Sequence, residues 1–424
     1  MVTSQEFFQQ WEHSLSDGFQ QDGVPATSGS WVFEVTRIPV GSGETRVAAL
    51  SHDNTLVAVV MGNEIRIYDV ATSKLLHTLR GHTGNVGPLE FHPDGRKFAS
   101  CSFPTRGQIQ SSLTRVWDLD APTGAAATAA ASASLLQHWS PEDLQSANLE
   151  QQISDSIIAA QTAIDVRTGR AFAGHLSHNR AFSHDGRSLL YLPEHTTLAV
   201  LDVANLTERV RLSGHTDSIM WAETSPDDTL VASVSWDKTV RIWSIESGET
   251  LQVLEGATNQ GWTGAFSPDG QLIAAGEGNK AVRIWRIDTG ELLHTLGGFL
   301  GWVRHLSFSP DSRCLAAGSS GGTLRVFDTQ SGKCDQKWQI DVQKQPLAQA
   351  FMEIRHVQYT PRGDLFFSST EGRSFGYRAS RNLKWDMLEP DTHGLNCGTV
   401  RTSVDGSRFI AAIGSAVAIW KIED

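Results

Sequence analysis

Cysteine is scarce in this chain. There are four, Cys101, Cys314, Cys334 and Cys397, and no two form a Cys-x-x-Cys pair. That scatter speaks against a disulfide framework or a zinc site and fits reduced thiols in an intracellular protein. Long apolar runs are also missing. No stretch of about 18 apolar residues occurs, so no membrane span is expected. The first residues lack a basic segment followed by an apolar run, so no signal peptide is expected. Basic charge is in deficit, with 35 Lys and Arg against 47 Asp and Glu and a net charge of −12. Phosphate binding rests on Lys and Arg, so a non-specific grip on nucleic acid or anionic membrane is disfavoured. The expected location is the cytoplasm, the nucleus or both.

What is present is a repeat. At 424 residues the chain is too long for one ordinary core, which leaves several domains or one repeat architecture. Three segments align without gaps: Thr239–Trp243, Ala281–Trp285 and Thr323–Phe327. Their terminal aromatics, at 243, 285 and 327, are 42 residues apart, and Leu201 lies one further step back. The pattern returns at Tyr68, Trp117, Tyr377 and Trp420. Ahead of most of these stands a turn signal: Phe91-His92-Pro93-Asp94-Gly95, Phe182-Ser183-His184-Asp185-Gly186, Phe266-Ser267-Pro268-Asp269-Gly270 and Phe308-Ser309-Pro310-Asp311. Asp-Gly and Pro-Asp form turns, and the apolar, β-branched runs around them read as short strands. Gly-His occurs at Gly81-His82, Gly174-His175 and Gly214-His215.

Together these three spaced features resemble the WD40 repeat family over about residues 31–424. The resemblance implies an all-β propeller of four-stranded blades around a central channel. Neighbouring blades must stack, because one blade cannot bury both of its faces alone. Eight strand triplets are counted. The last, ending at Trp420, has no outer strand of its own. In this family an early strand fills that place and closes the ring, a role that falls to Trp31–Ile38. Eight blades fit best. The 84 residues between Trp117 and Leu201 leave seven or nine open. Within them, Ala125–Ser134 is low in complexity and Ser140–Gln161 reads as a capped helix. Residues of about 121–163 are therefore expected to be an insertion in the outer hairpin of blade two. Residues 1–30 form a separate extension with a short amphipathic helix carrying Phe7, Phe8, Trp11 and Leu15.

In the family, blades are braced by a hydrogen-bonded His, Ser, Asp and Trp. The resemblance assigns that role to His215, Ser233, Asp237 and Trp243, and in part to His82, Ser100 and Trp117. Buried polar groups need partners, and a chain of them satisfies each in turn. A structural role is assigned to them, and no catalytic residue is named. Blades five and six lack the His, which predicts looser blades with uncertain edges. Two enzyme-like patterns, Gly318–Gly322 and Gly276–Ala281, are each followed by strand-forming residues. A nucleophile elbow or a dinucleotide fingerprint needs a helix there, so both read as hairpin turns.

Propellers of this family usually bind partners on the face carrying the loops into the first strands. The resemblance maps that face to Arg46, Gly87, His178, Met220, Trp262, Arg304 and Arg355, with Trp236 from a neighbouring turn. Trp and Arg are common interface hot spots. The expected function is a protein-interaction scaffold that binds peptide segments, acidic or phosphorylated ones among them. Two rivals remain: a propeller enzyme of lactonase or isomerase type using the channel, and a chromatin or nucleic-acid reader. No cofactor or metal is expected, and no converging carboxylates are found in the first-strand positions. The sequence leaves the oligomeric state open.

Overall fold

The computed structural model describes residues 20–21, 24–25, 27–28, 34–40, 47–104, 112–120, 169–176, 180–339, 353–369, 374–387, 397–413 and 415–422. The N-terminal helix and the insertion helix expected from the sequence fall outside these residues.

Eight antiparallel sheets follow one another along the chain. Blade four shows the pattern, with strands Ile219–Thr224, Leu230–Ser235, Val240–Ser244 and Thr250–Leu254 running from the channel outward. The eighth blade is built from both ends of the chain. Glu34–Pro39 pairs antiparallel with Ala416–Lys421, bringing Ile38 opposite Val417 and Thr36 opposite Ile419. In blade seven the short strand Thr27–Ser28 adds a parallel fifth strand to Leu383–Met387. In blade two the outer strand Gly169–Ala173 pairs with Leu113–Asp118, so the long intervening segment leaves from the outer hairpin.

The strands are apolar almost throughout because both faces of each blade are covered. In blade five, Ile273, Ala275 and Trp285 pack against blade four, while Ala274, Val282 and Ile284 pack against blade six. Successive side chains in a strand point to opposite faces, so a continuous run of Ile and Ala fills two interfaces. One such hydrophobic layer lies between each pair of consecutive blades. The layer joining blade eight to blade one holds Ile38, Ile410, Val417 and Ile419 against Val57, Val59 and Tyr68. That layer closes the ring.

Polar latches reinforce the stacking on one rim. The turn after the inner strand carries a left-handed residue in every blade, and in three of them it is not glycine: Asn54 (φ 60°), Asp228 (57°) and Ser312 (61°). Each of these three reaches the turn of the preceding blade. Asn54 Nδ2 donates to Asp405 at 3.0 Å. Asp228 accepts the backbone N–H groups of His184 at 2.9 Å and Asp185 at 2.7 Å. Ser312 Oγ accepts the Asp269 N–H at 3.2 Å. The bonds offset the strain of a side chain at positive φ, which short polar residues tolerate best.

Blades five and six depart from the sequence expectation. All four strands pair in each, so their edges are complete. In blade five the Trp285 indole donates to Glu255 O at 3.0 Å, and a buried Glu277–Arg283 ion pair lies close by. In blade six Phe299 stands after the glycine where His215 stands in blade four, and Arg325 packs over its ring at 5.8 Å. Both glycine patterns open onto strands, Val282–Arg286 and Thr323–Asp328.

Candidate partner-binding face and channel

The loops entering the inner strands are tied to the turns between second and third strands. Trp236 N donates to Ser218 O at 2.9 Å, Gly278 N to Gln260 O at 2.9 Å and Ser320 N to Trp302 O at 2.8 Å. The same bond thus recurs in blades four, five and six and sets the side chains of this face in register. Gly301 and Gly321 let the two loops of blade six touch, since a Cβ on Gly301 would lie 2.3 Å from Gly321 N.

The result is an aromatic array across three blades. Trp262 stacks on Trp302 with ring centroids 4.9 Å apart and planes inclined by 16°. Trp236 meets Trp262 edge-on at 5.1 Å. The Arg304 guanidinium lies 5.3 Å from the Trp262 ring and pairs with Glu353 at 3.0 Å. Trp302 remains 47% exposed, and Leu300 beside it 43%. A large exposed indole on an ordered loop is the usual mark of a contact surface. Trp302 was not among the residues expected from the sequence. It stands two residues ahead of Arg304, level with Gln260 and Ser218, and only the stacking reveals its role.

Met220, Trp262, Arg304 and Arg355 line one central channel of about 1400 Å³. Trp236 flanks its mouth through Trp262. Gly87 lies within the inner strand of blade two, Asn85–Phe91, where a Cβ would strike the Phe103 ring at 2.6 Å. Arg46 and His178 fall outside the described residues.

Deeper in the channel two first-strand positions carry single carboxylates. Glu90 and Glu223 both line it. Glu90 accepts the Ala181 N–H at 2.6 Å, and burial pushes its carboxyl up to about 7. Burial likewise raises Glu223 to about 7. They do not converge on a metal site: among the described residues, no cluster of three or more His, Cys, Asp or Glu could hold an ion. His305 and His356 face the same space and are held down to about 3 and about 4, chiefly by burial.

The brace of blade four is complete. His215 Nδ1 lies 2.7 Å from Asp237 and Nε2 2.7 Å from Ser233 Oγ, which also accepts the Trp243 indole N–H at 2.8 Å. Asp237 can only accept, so the His215 proton sits on Nδ1 and Nε2 takes the Ser233 hydroxyl proton. The spacing is that of a hydrolytic triad. Yet the His215 side chain is fully buried and Ser233 Oγ already serves two neighbours, so no substrate can reach it. Blade two keeps His82, Ser100 and Trp117, with both bonds to Ser100 Oγ at 2.8 Å. Without an Asp partner, His82 Nδ1 is buried unpaired, and desolvation lowers its pKa to about 4.

Comparison with known proteins agrees with this architecture. The model for the WD domain, G-beta repeat, matches residues 73–118, 206–244, 248–286 and 290–328. Each match runs from the outer strand of one blade through the third strand of the next. The chain is 26% identical to apoptotic protease-activating factor 1 of Danio rerio over 48% of its length and 16% of that protein. It is 23% identical to the transcriptional corepressor LEUNIG_HOMOLOG of Arabidopsis thaliana, over 54% of this chain and 28% of that one. It is 25% identical to cell division cycle 20.5, cofactor of APC complex, also of Arabidopsis thaliana, over 53% and 51%. The chain therefore spans about half, or less, of each of these relatives. With eight stacked blades and these repeats, the chain belongs to the WD40-repeat family of β-propellers.

Proposed function

We propose that the protein is an intracellular scaffold that holds peptide segments of partner proteins on the loop face of blades four to seven. The observation that carries this reading is the exposed Trp302, stacked on Trp262 and set beside Arg304. Aromatic rings supply apolar contact area at little entropic cost, and arginines around them favour acidic or phosphorylated segments. A corepressor and a complex cofactor among the relatives support a role in assemblies. Residues 1–30 and the insertion of about 121–163 would offer additional docking segments. The role is one of binding without catalysis. The His–Ser–Asp set of blade four is sealed from substrate.

The test is a pull-down from cell extract with wild type and with a Trp236→Ala, Trp262→Ala, Arg304→Glu triple variant, alongside Trp302→Ala alone. Partners that bind wild type and are lost from both folded variants support the reading. Unchanged partners would remove this face as the main site. Loss of the partners on nuclease treatment would favour a nucleic-acid reader.

A further inference from the structure

We infer that the channel wall of blades six to eight is an anion-binding site, in which Arg401, His305 and His356 hold a phosphate or carboxylate group. The three residues come from the inner strands Val303–Phe308, Ile354–Tyr359 and Cys397–Thr402 and line the same cavity. This site lies below the loop face and does not depend on the reading of that face.

The first observation is a missing partner. Arg401 makes no hydrogen bond or ion pair among the described residues, although a guanidinium carries five N–H donors and never loses its charge. His305 makes none either. His356 Nε2 lies 3.0 Å from Gln358 Oε1, which leaves Nδ1 toward other contacts.

The second observation is charge. His305 feels His356, Arg304 and Arg401, and all three act to strip its proton. Arg401 acts on His356 in the same sense. The one carboxylate among the described residues of this wall, Glu353, is already taken by Arg304. The attraction that reaches Arg401 comes from Glu90 on blade two, whose oxygens face the Ala181 and Phe182 N–H groups. Arg401 therefore keeps its charge beside two neutral imidazoles, with no carboxylate in bonding contact among the described residues, and a bound anion would supply the acceptor that all three lack.

The third observation is room. At the level of Arg401 the inner strands of blades one, three, five and six contribute only Ala49, Ala181, Ala265 and Ser307. Small side chains there leave space for a ligand between the walls.

An oxyanion seated here would accept from Arg401 and from both imidazoles, and it would favour their protonated forms. Binding should then take up protons and tighten as pH falls from 7 toward 5. The other groups facing this space are Arg304, Arg355 and Glu353 above, and His52, Glu90, Arg180 and Glu223 across the channel. The anion can belong to a small molecule or to the terminal carboxylate of a peptide entering from the loop face.

The test is isothermal titration of the full chain with inorganic pyrophosphate and, separately, with a short aspartate-rich peptide bearing a free C-terminal carboxylate. Wild type should bind at least one probe. Charge-assisted hydrogen bonds of the size expected here make Arg401→Gln weaker by about tenfold or more. A His305→Gln, His356→Gln double variant keeps Arg401 and should both weaken binding and flatten its pH dependence. It also serves if Arg401→Gln fails to fold. Pyrophosphate alone binding points to a small-molecule source, and the peptide alone to a chain terminus. The inference is overturned if wild type binds neither probe at millimolar concentration, or if binding survives unchanged in the folded variants.

Discussion

Ser233 Oγ accepts the indole N–H of Trp243 at 2.8 Å while its own proton goes to His215. One hydroxyl therefore satisfies two buried groups, one in the loop ahead of the inner strand and one on the third strand. Ser233→Ala leaves both without a partner, and a buried group so stranded costs about 1–3 kcal/mol. A loss of about 2–4 kcal/mol in unfolding free energy is expected. Ser233→Thr keeps the oxygen and should recover much of it. Urea titration followed by tryptophan fluorescence measures both.

The latch at Asp228 separates hydrogen bonding from backbone strain. Asp228→Gly removes the bonds to His184 and Asp185 but relaxes the left-handed backbone. Asp228→Ala removes the same bonds and leaves a Cβ at positive φ. The alanine variant should be the less stable of the two by about 1 kcal/mol. Equal melting temperatures would mean that the turn shifts out of the left-handed region.

Trp302 and Trp262 should behave differently although they stack on each other. Trp302 is half exposed, so Trp302→Ala should cost no more than about 1 kcal/mol, close to the value of one aromatic pair. Trp262 touches Trp236, Trp302 and Arg304 together, and Trp262→Ala should cost more. Near-ultraviolet circular dichroism should lose intensity in both variants.

Glu223 makes stability depend on pH in a direction that can be stated. Its carboxyl lies near 4.5 when unfolded and is raised to about 7 by burial in the folded chain. The folded state therefore holds a proton that the unfolded state has released. This contribution is complete below pH 4.5 and is lost as pH rises through 7. Glu223→Gln should be more stable than wild type at pH 8, and the gap should shrink toward pH 4.5. A gap that grows on acidification would contradict the assignment.

Much of this molecule can be read along the chain, because the repeat restates it. The 42-residue step from Trp243 to Trp285 to Phe327 marks the third strands, and all three lie there. Glu34–Pro39 against Ala416–Lys421 follows from a triplet that lacks its fourth strand. Met220, Trp262, Arg304 and Arg355 share one register position and meet at one channel. What escaped reading lies in places where neighbours from other blades decide the outcome. Trp302 gains its partner Trp262 from blade five, and only the stacking of the two blades brings the rings together. The channel rows of Glu90, Glu223 and Arg401 mean little singly and acquire meaning only when eight inner strands converge.

The pairing of Glu34–Pro39 with Ala416–Lys421 has a consequence for the fate of an opened ring. If the early strand detaches, two complementary pieces are set free at once: an unsatisfied row of peptide groups along Ala416–Lys421 and the segment shaped to fit it. Bare sheet margins recruit strands from wherever they come. In dilute solution the nearest candidate is the same chain. In crowded solution the segment of one copy can settle on the margin of another, and such exchanged pairs would look native blade by blade while being joined at the seam.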